Sequence, residues 1–346
     1  MDKYIIPILL LICVTGCKSD EIPEKDFLFA VQQQQTIREF DTGFELTERI
    51  DLESELNIYS VRKIIETENE IIIPQHRHFL VTFLDKKSLD LKKVISLKKG
   101  RGPGEIEHLM DIDVNNDLLV ITDPSQAKIV VTNYEAEVLK EISITQSGPH
   151  RVAFDDEQKI HALFNYTFKD SMIFGKFNIE GELEKIYQPI INELNKAPLV
   201  SDGELKHHKN AIFFLGLNEP IIKKYNSENE LEFSRKTIDN FNTAENYFTI
   251  ESANHKGYGL SPAALFSTND FDVKNGNIFV LPNSNGDPEK KYVDVYNNDG
   301  NYLKSFALQN RASRINVLDD ENTVLTIESI DGSMYLCKYK YSKDMK

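Results

Sequence analysis

Gly100-Arg101-Gly102-Pro103-Gly104-Glu105 is a glycine-rich loop of the kind that can wrap backbone amides around a phosphate. The details speak against that chemistry. A Walker loop needs Gly-Lys-Ser/Thr at its end, and a dinucleotide fingerprint needs glycine where Glu105 stands. A carboxylate there repels phosphate, and no helical pattern follows to lend an N-terminal dipole. The stretch therefore reads as a turn, in which three glycines permit positive φ and Pro103 limits the loop's freedom. Arg101 is left as a side chain that can reach a ligand.

His76 and His78 are two apart, so on a strand they share a face and offer two imidazoles to a metal, but no third ligand is identifiable nearby. Asp155-Asp156 and Asp319-Asp320 resemble paired catalytic carboxylates. Asn115-Asn116 holds the same place in another repeat, however, so turn formation is their expected role. His207 and His208 project to opposite faces of a strand. Neither a Gly-x-Ser-x-Gly elbow nor a His-Glu-x-x-His pair occurs. No cofactor, metal or catalytic residue is expected on these grounds.

These side chains must be held by strands. The 346-residue chain is 40% hydrophobic, enough for a sizeable core. Its net charge of -15 argues against nucleic acid or a bare anionic membrane as the main partner. From Phe44 onward the apolar segments are short, rich in Ile, Val, Phe and Tyr, and bounded by Asn, Asp, Gly or Pro, which is strand punctuation. No helical stripe persists over three turns, so the chain reads as all-β.

The strands repeat. Aromatic or apolar residues followed by a polar turn recur at Leu84, Tyr134, Phe177, Tyr225 and Tyr296, and more weakly at Tyr339, at intervals of 50, 43, 48, 71 and 43 residues. That brackets the ~40–50 residues of a four-stranded propeller blade. A polar hairpin turn precedes each anchor, at Glu68-Asn69, Asn115 to Asp117, Asp155 to Glu157, Lys209-Asn210, Asn275 to Asn277 and Asp319 to Asn322. The expected fold is a six-bladed β-propeller of four-stranded antiparallel blades over residues 44–346, with an insertion near 241–266. The last repeat shows three strands, and the segment around Phe44 to Leu52 supplies the fourth, closing the ring.

At the other end, the apolar run from Tyr4 to Val14 is too short to span a bilayer but suits a signal peptide, and Val14-Thr15-Gly16-Cys17 resembles a bacterial lipobox. Residues 1–16 then form the signal peptide, Cys17 takes a lipid, and 17–43 form a tether. Lys18-Ser19-Asp20-Glu21 resembles the charged tag of surface lipoproteins. Cys337 is the cysteine left in the folded part, so the mature chain forms no internal disulfide and that thiol is expected to be packed.

Gly100 to Ile106, Asp111-Ile112-Asp113, Leu118 to Asp123, Lys128-Ile129, Tyr134 and Glu137-Val138-Leu139 together resemble an NHL-type repeat, and Tyr292 to Leu303 repeats its second half. With the lipobox, the chain resembles the NHL/TolB-like six-bladed propeller lipoproteins of the Bacteroidetes. The resemblance implies a cell-envelope protein, anchored to the outer membrane and facing the surface or the periplasm.

In a propeller the loop leading into each innermost strand lies on the face where ligands bind. Here those positions hold Tyr59 and Arg62, Arg101 and His108, His150 and Arg151, His207 and His208, Thr268 and Asn269, and Ser313 and Arg314. Arg62, Arg101, His108, His150, Arg151, His207 and Arg314 are the candidate binding residues, suited to an anionic or hydroxyl-rich ligand. The expected function is a monomeric binding module for a glycan, peptide or protein. The alternative is a hydrolase or lyase using His108, His150 and an arginine, with or without a metal.

Overall fold

Asn116-Asp117, Asn275-Gly276 and Asp331-Gly332 take positive φ at both central positions of their turns. That geometry matches the twist of paired strands and sends the chain straight back on itself. Strands joined this way build six four-stranded antiparallel sheets in chain order. Blade 1 runs from Ile65–Glu66 to Leu91–Ser96, blade 2 from Asp111–Asn115 to Val138–Ser143, and blade 3 from Pro149–Phe154 to Leu183–Pro189. Blade 4 spans Gly203–His208 to Leu231–Lys236, blade 5 Thr268–Lys274 to Tyr302–Ala307, and blade 6 holds Ala312–Val317, Thr323–Ile330 and Ser333–Tyr341. The protein is thus an all-β six-bladed propeller.

This structure is a computed structural model that describes residues 30–144, 148–166, 171–189, 202–239, 247–252, 255–261, 264–287, 289–320 and 322–341. The apolar leader, Cys17 and the first part of the tether lie outside the described residues.

Neighbouring blades stack face to face, so a middle strand is buried on both sides. In Leu118–Asp123, Leu119 and Ile121 enter the cluster shared with blade 1, whereas Val120 enters the one shared with blade 3. Side chains alternate because successive Cβ atoms leave opposite faces of a strand. The core is accordingly six wedges, one per blade interface. Cys337, fully buried in the wedge between blades 5 and 6, has its thiol pushed up to about 12 by burial.

Phe44–Asp51 pairs antiparallel with Ser333–Tyr341 and becomes the outer strand of blade 6, so the first and last strands of the ring share one sheet. Contact begins earlier than the sequence suggests. Val31 bridges Arg235 on the outer strand of blade 4, and Phe40–Asp41 adds in parallel to Tyr302–Ala307 of blade 5. Between them Gln33 donates to the carbonyls of Lys236 and Gly300, and Arg38 forks onto Asp294 at 2.9 and 2.8 Å while stacking over Tyr292. From residue 31 the expected tether is therefore a strap, held because its amide and guanidinium groups satisfy blade edges. Within the insertion, Tyr247–Ser252 and His255–Leu260 pair as a separate hairpin between blades 4 and 5.

Candidate ligand-binding mouth of the channel

The innermost strands are fixed to one another by carboxylates. Asp111 accepts the amide of Val152 at 3.0 Å and Asp113 that of Phe154 at 2.8 Å, tying blade 2 to blade 3. Three blades on, Asp270 and Asp272 take the amides of Ile315 and Val317 at 3.0 and 2.7 Å, tying blade 5 to blade 6. An Asp-x-Asp pair reaches alternate residues of the next strand because both have a period of two. Just upstream, strand register slips at Pro149/Arg151 and again at Ala312/Arg314. Each slip is a β-bulge that re-aims the following side chain. Arg151 and Arg314 are thereby turned to the channel mouth.

All six blades contribute to a cavity of about 500 Å³ at that mouth, lined by Arg62, His76, His108, Arg151, Asp202, Glu204, Thr268, Asn269, Asn283, Phe266 and Arg314 among others. Arg62 donates Nε to the carbonyl of Met110 at 2.8 Å and Nη2 to both oxygens of buried Glu204 at 3.0 and 2.9 Å. Arg151 meets Asp202 at 2.7 Å and the carbonyl of Gly203 at 2.9 Å. Arg314 donates to the backbone oxygens of Arg62 and Ser313, and among the described residues no carboxylate comes within ion-pair distance of it.

Electrostatics follow the geometry. Burial pushes Glu204 up, but Arg62 and Arg151 outweigh it and hold the carboxylate well below its usual range. Burial, then the neighbouring Arg62 cation, pulls Arg314 below its ordinary value. His76 is lowered to about 4 by burial and by Arg62, Arg77 and Arg314, so it is neutral at pH 7. His150 shifts the same way, chiefly through burial. The mouth is a cationic rim over carboxylates that its inner members already neutralise.

No protein-family model matches the chain, and a search of curated proteins finds no match. Solved structures do share the fold. A protein of Bacteroides fragilis described as exported aligns with a TM-score of 0.58 and 12% identity over 91% of this chain and 100% of its own. The U3-55K structure aligns with a TM-score of 0.52 and 9% identity over 84% of this chain and 98% of its own. At such identities the likeness is one of fold.

Of the candidate residues, Arg62, His108, Arg151 and Arg314 line one cavity. His150 sits at the bulge beside Arg151, its carbonyl accepting Arg151 Nη1 at 3.1 Å. Arg101 is elsewhere. It points into solvent and pairs with Glu107 at 2.8 Å, because the loop folds on itself around Glu105, whose carboxylate accepts the amide of Gly102 at 2.8 Å. A Cβ on Gly100 would lie 2.1 Å from that carboxylate, so the protein's own anion fills the cradle. His207 is also misplaced by the sequence reading. It is the penultimate residue of the inner strand Gly203–His208, close to the Lys209-Asn210 turn, and lines a small pocket at the far end with Asp156 and His161. Blade 4 instead offers Asp202 and Glu204 at the mouth, as counting back one strand length from that turn would have indicated.

His76 and His78 do not share a strand face, because the chain turns after Gln75. His76 enters the mouth while His78 lies against Tyr59. Asp155 accepts the amides of Glu157 and Lys159 at 3.0 and 2.8 Å, which is turn formation, and its second oxygen meets His161 at 3.0 Å. Asp320 likewise accepts the amides of Asn322 and Thr323. Among the described residues no three His, Cys, Asp or Glu side chains converge as metal ligands.

Proposed function

We propose that this chain is an exported, lipid-anchored propeller of the NHL/TolB-like kind that binds an anionic ligand at its channel mouth, as a binding module of the cell envelope. The observation that carries the reading is Arg314. A guanidinium held in a polar cavity with only backbone carbonyls for partners keeps N–H donors for a ligand, and its planar fork suits a carboxylate or a similar anion. No hydrogen bond joins His108 or His150 to a carboxylate among the described residues, so neither is oriented as a general base, which supports binding over turnover. The lipobox-like Val14-Thr15-Gly16-Cys17 and the fold shared with a protein described as exported support the location.

Two experiments test this. Titration of citrate, a small polyanion, into the purified protein should give saturable binding that Arg314→Gln weakens about 10- to 100-fold; binding unaltered by that change would remove the mouth from consideration. Palmitate should label the wild type but not Cys17→Ala, and equal labelling would overturn the anchor.

A further inference from the structure

The mouth has two unlike walls. Its guanidinium groups come from blades 6, 1 and 3, with the blade 4 carboxylates Asp202 and Glu204 paired to Arg151 and Arg62, whereas blade 5 and the stretch entering it supply Phe266, Thr268, Asn269 and Asn283, which carry no charge. Phe266 is 39% exposed, yet its backbone is fixed. Its amide donates to Asn285 Oδ1 at 2.9 Å, and its carbonyl accepts from Asn285 Nδ2 at 2.8 Å. Fixing the backbone on both sides holds this partly exposed phenyl at the rim of the cavity, where it offers an apolar surface to a ligand. Beside it Asn283 donates to Asn269 Oδ1 at 2.7 Å and Asn269 donates to the carbonyl of Ala312 at 3.1 Å, which orients both amides and leaves each with further capacity.

We propose that the mouth takes an acidic saccharide, its anionic group on Arg314, its hydroxyls on the Asn269 and Asn283 amides and a ring face on Phe266. This rests on the mouth being a ligand site. The argument is one of chemical matching. A sugar ring carries an apolar C–H face and a belt of hydroxyls, and an acidic sugar adds one anion at a fixed offset, which is the polarity split seen across this cavity. A volume of about 500 Å³ lies within the range of small-ligand sites. A flexible acidic peptide would use the cations but has no need of a phenyl and two oriented amides in the same cavity.

The test is calorimetry with trigalacturonate, sialyllactose and a glucuronate disaccharide, against neutral galactotriose, pentaglutamate and citrate. At least one acidic saccharide should bind ~10-fold or more tighter than galactotriose. Phe266→Ala should weaken that saccharide about five- to tenfold and leave citrate unchanged. Arg314→Gln should weaken both by about 10- to 100-fold, with Arg314→Lys partly restoring them and circular dichroism unchanged throughout. If citrate binds through Arg314 but no acidic saccharide does, the saccharide inference falls and the anion site stands. Pentaglutamate binding that ignores Phe266→Ala would replace the saccharide with a peptide. Silence from citrate as well would bring down the underlying reading.

Discussion

Arg151 and Arg314 follow the same bulge in inner strands three blades apart, yet Arg151 has Asp202 at 2.7 Å and Arg314 has only the backbone oxygens of Arg62 and Ser313. One is structural in its contacts and the other is available. Arg151→Gln strips buried Glu204 and Asp202 of a cation and should cost on the order of 3 kcal/mol. Arg314→Gln removes a desolvated charge on which Arg62 and Arg151 act unfavourably and the more distant carboxylates Asp270 and Glu204 favourably, and should alter stability by less than about 1 kcal/mol. Urea unfolding of the two variants checks the contrast, and equal losses would mean that the two positions do the same work.

The neutral His76 imposes a pH dependence. Its pKa falls from 6.5 to about 4 on folding, so between those values the unfolded chain binds the extra proton. Stability should therefore decline as pH drops from about 6.5 towards 4, with His150 acting in the same direction. His76→Gln should flatten this part of the profile, as read from urea midpoints at pH 7.5 and 5. A bound anion favours the protonated imidazoles, so calorimetry in buffers of different ionisation enthalpy should show proton uptake on citrate binding.

The aspartate clamps predict where the ring is vulnerable. Asp272→Ala leaves the buried amide of Val317 and the side chain of Asn316 without their acceptor, at 2.7 and 3.1 Å in the native protein. The expected loss is about 1–3 kcal/mol. A thermal melt of this variant should show one lowered transition, because blades 5 and 6 share a hydrophobic wedge as well.

Two truncations separate strap from closure. Removing residues 1–42 deletes the Arg38 fork on Asp294, which keeps its hydrogen bond from Ser305; the loss should stay within about 3 kcal/mol. Removing residues 1–52 also deletes Phe44–Asp51 and bares the edge of Ser333–Tyr341. Size-exclusion chromatography should show aggregation of the longer truncation only.

The blade count was legible because a hairpin turn needs particular residues. Asn116-Asp117 and Asn275-Gly276 carry the positive φ values in the chain itself. Cys337 was equally plain from its apolar setting. The strap was not, since Gln33 and Arg38 look like linker residues until their partners 200 or more positions away are known. Arg101 failed because a loop's outline says nothing of which way it folds, and Glu105 turned it inward on itself. Asp202, Glu204 and Phe266 carried weak signals, a strand length counted back from a turn and an apolar residue stranded next to an insertion. Their meaning depends on a channel axis that no local pattern encodes.

The strap also decides how the molecule bears a load. A pull transmitted from residue 30 meets the Val31 bridge, the Gln33 amide and the Arg38 fork before it reaches Phe44–Asp51. Tension applied at residue 30 is thus spread over blades 4 and 5, and the seam that joins first strand to last is spared from being peeled open.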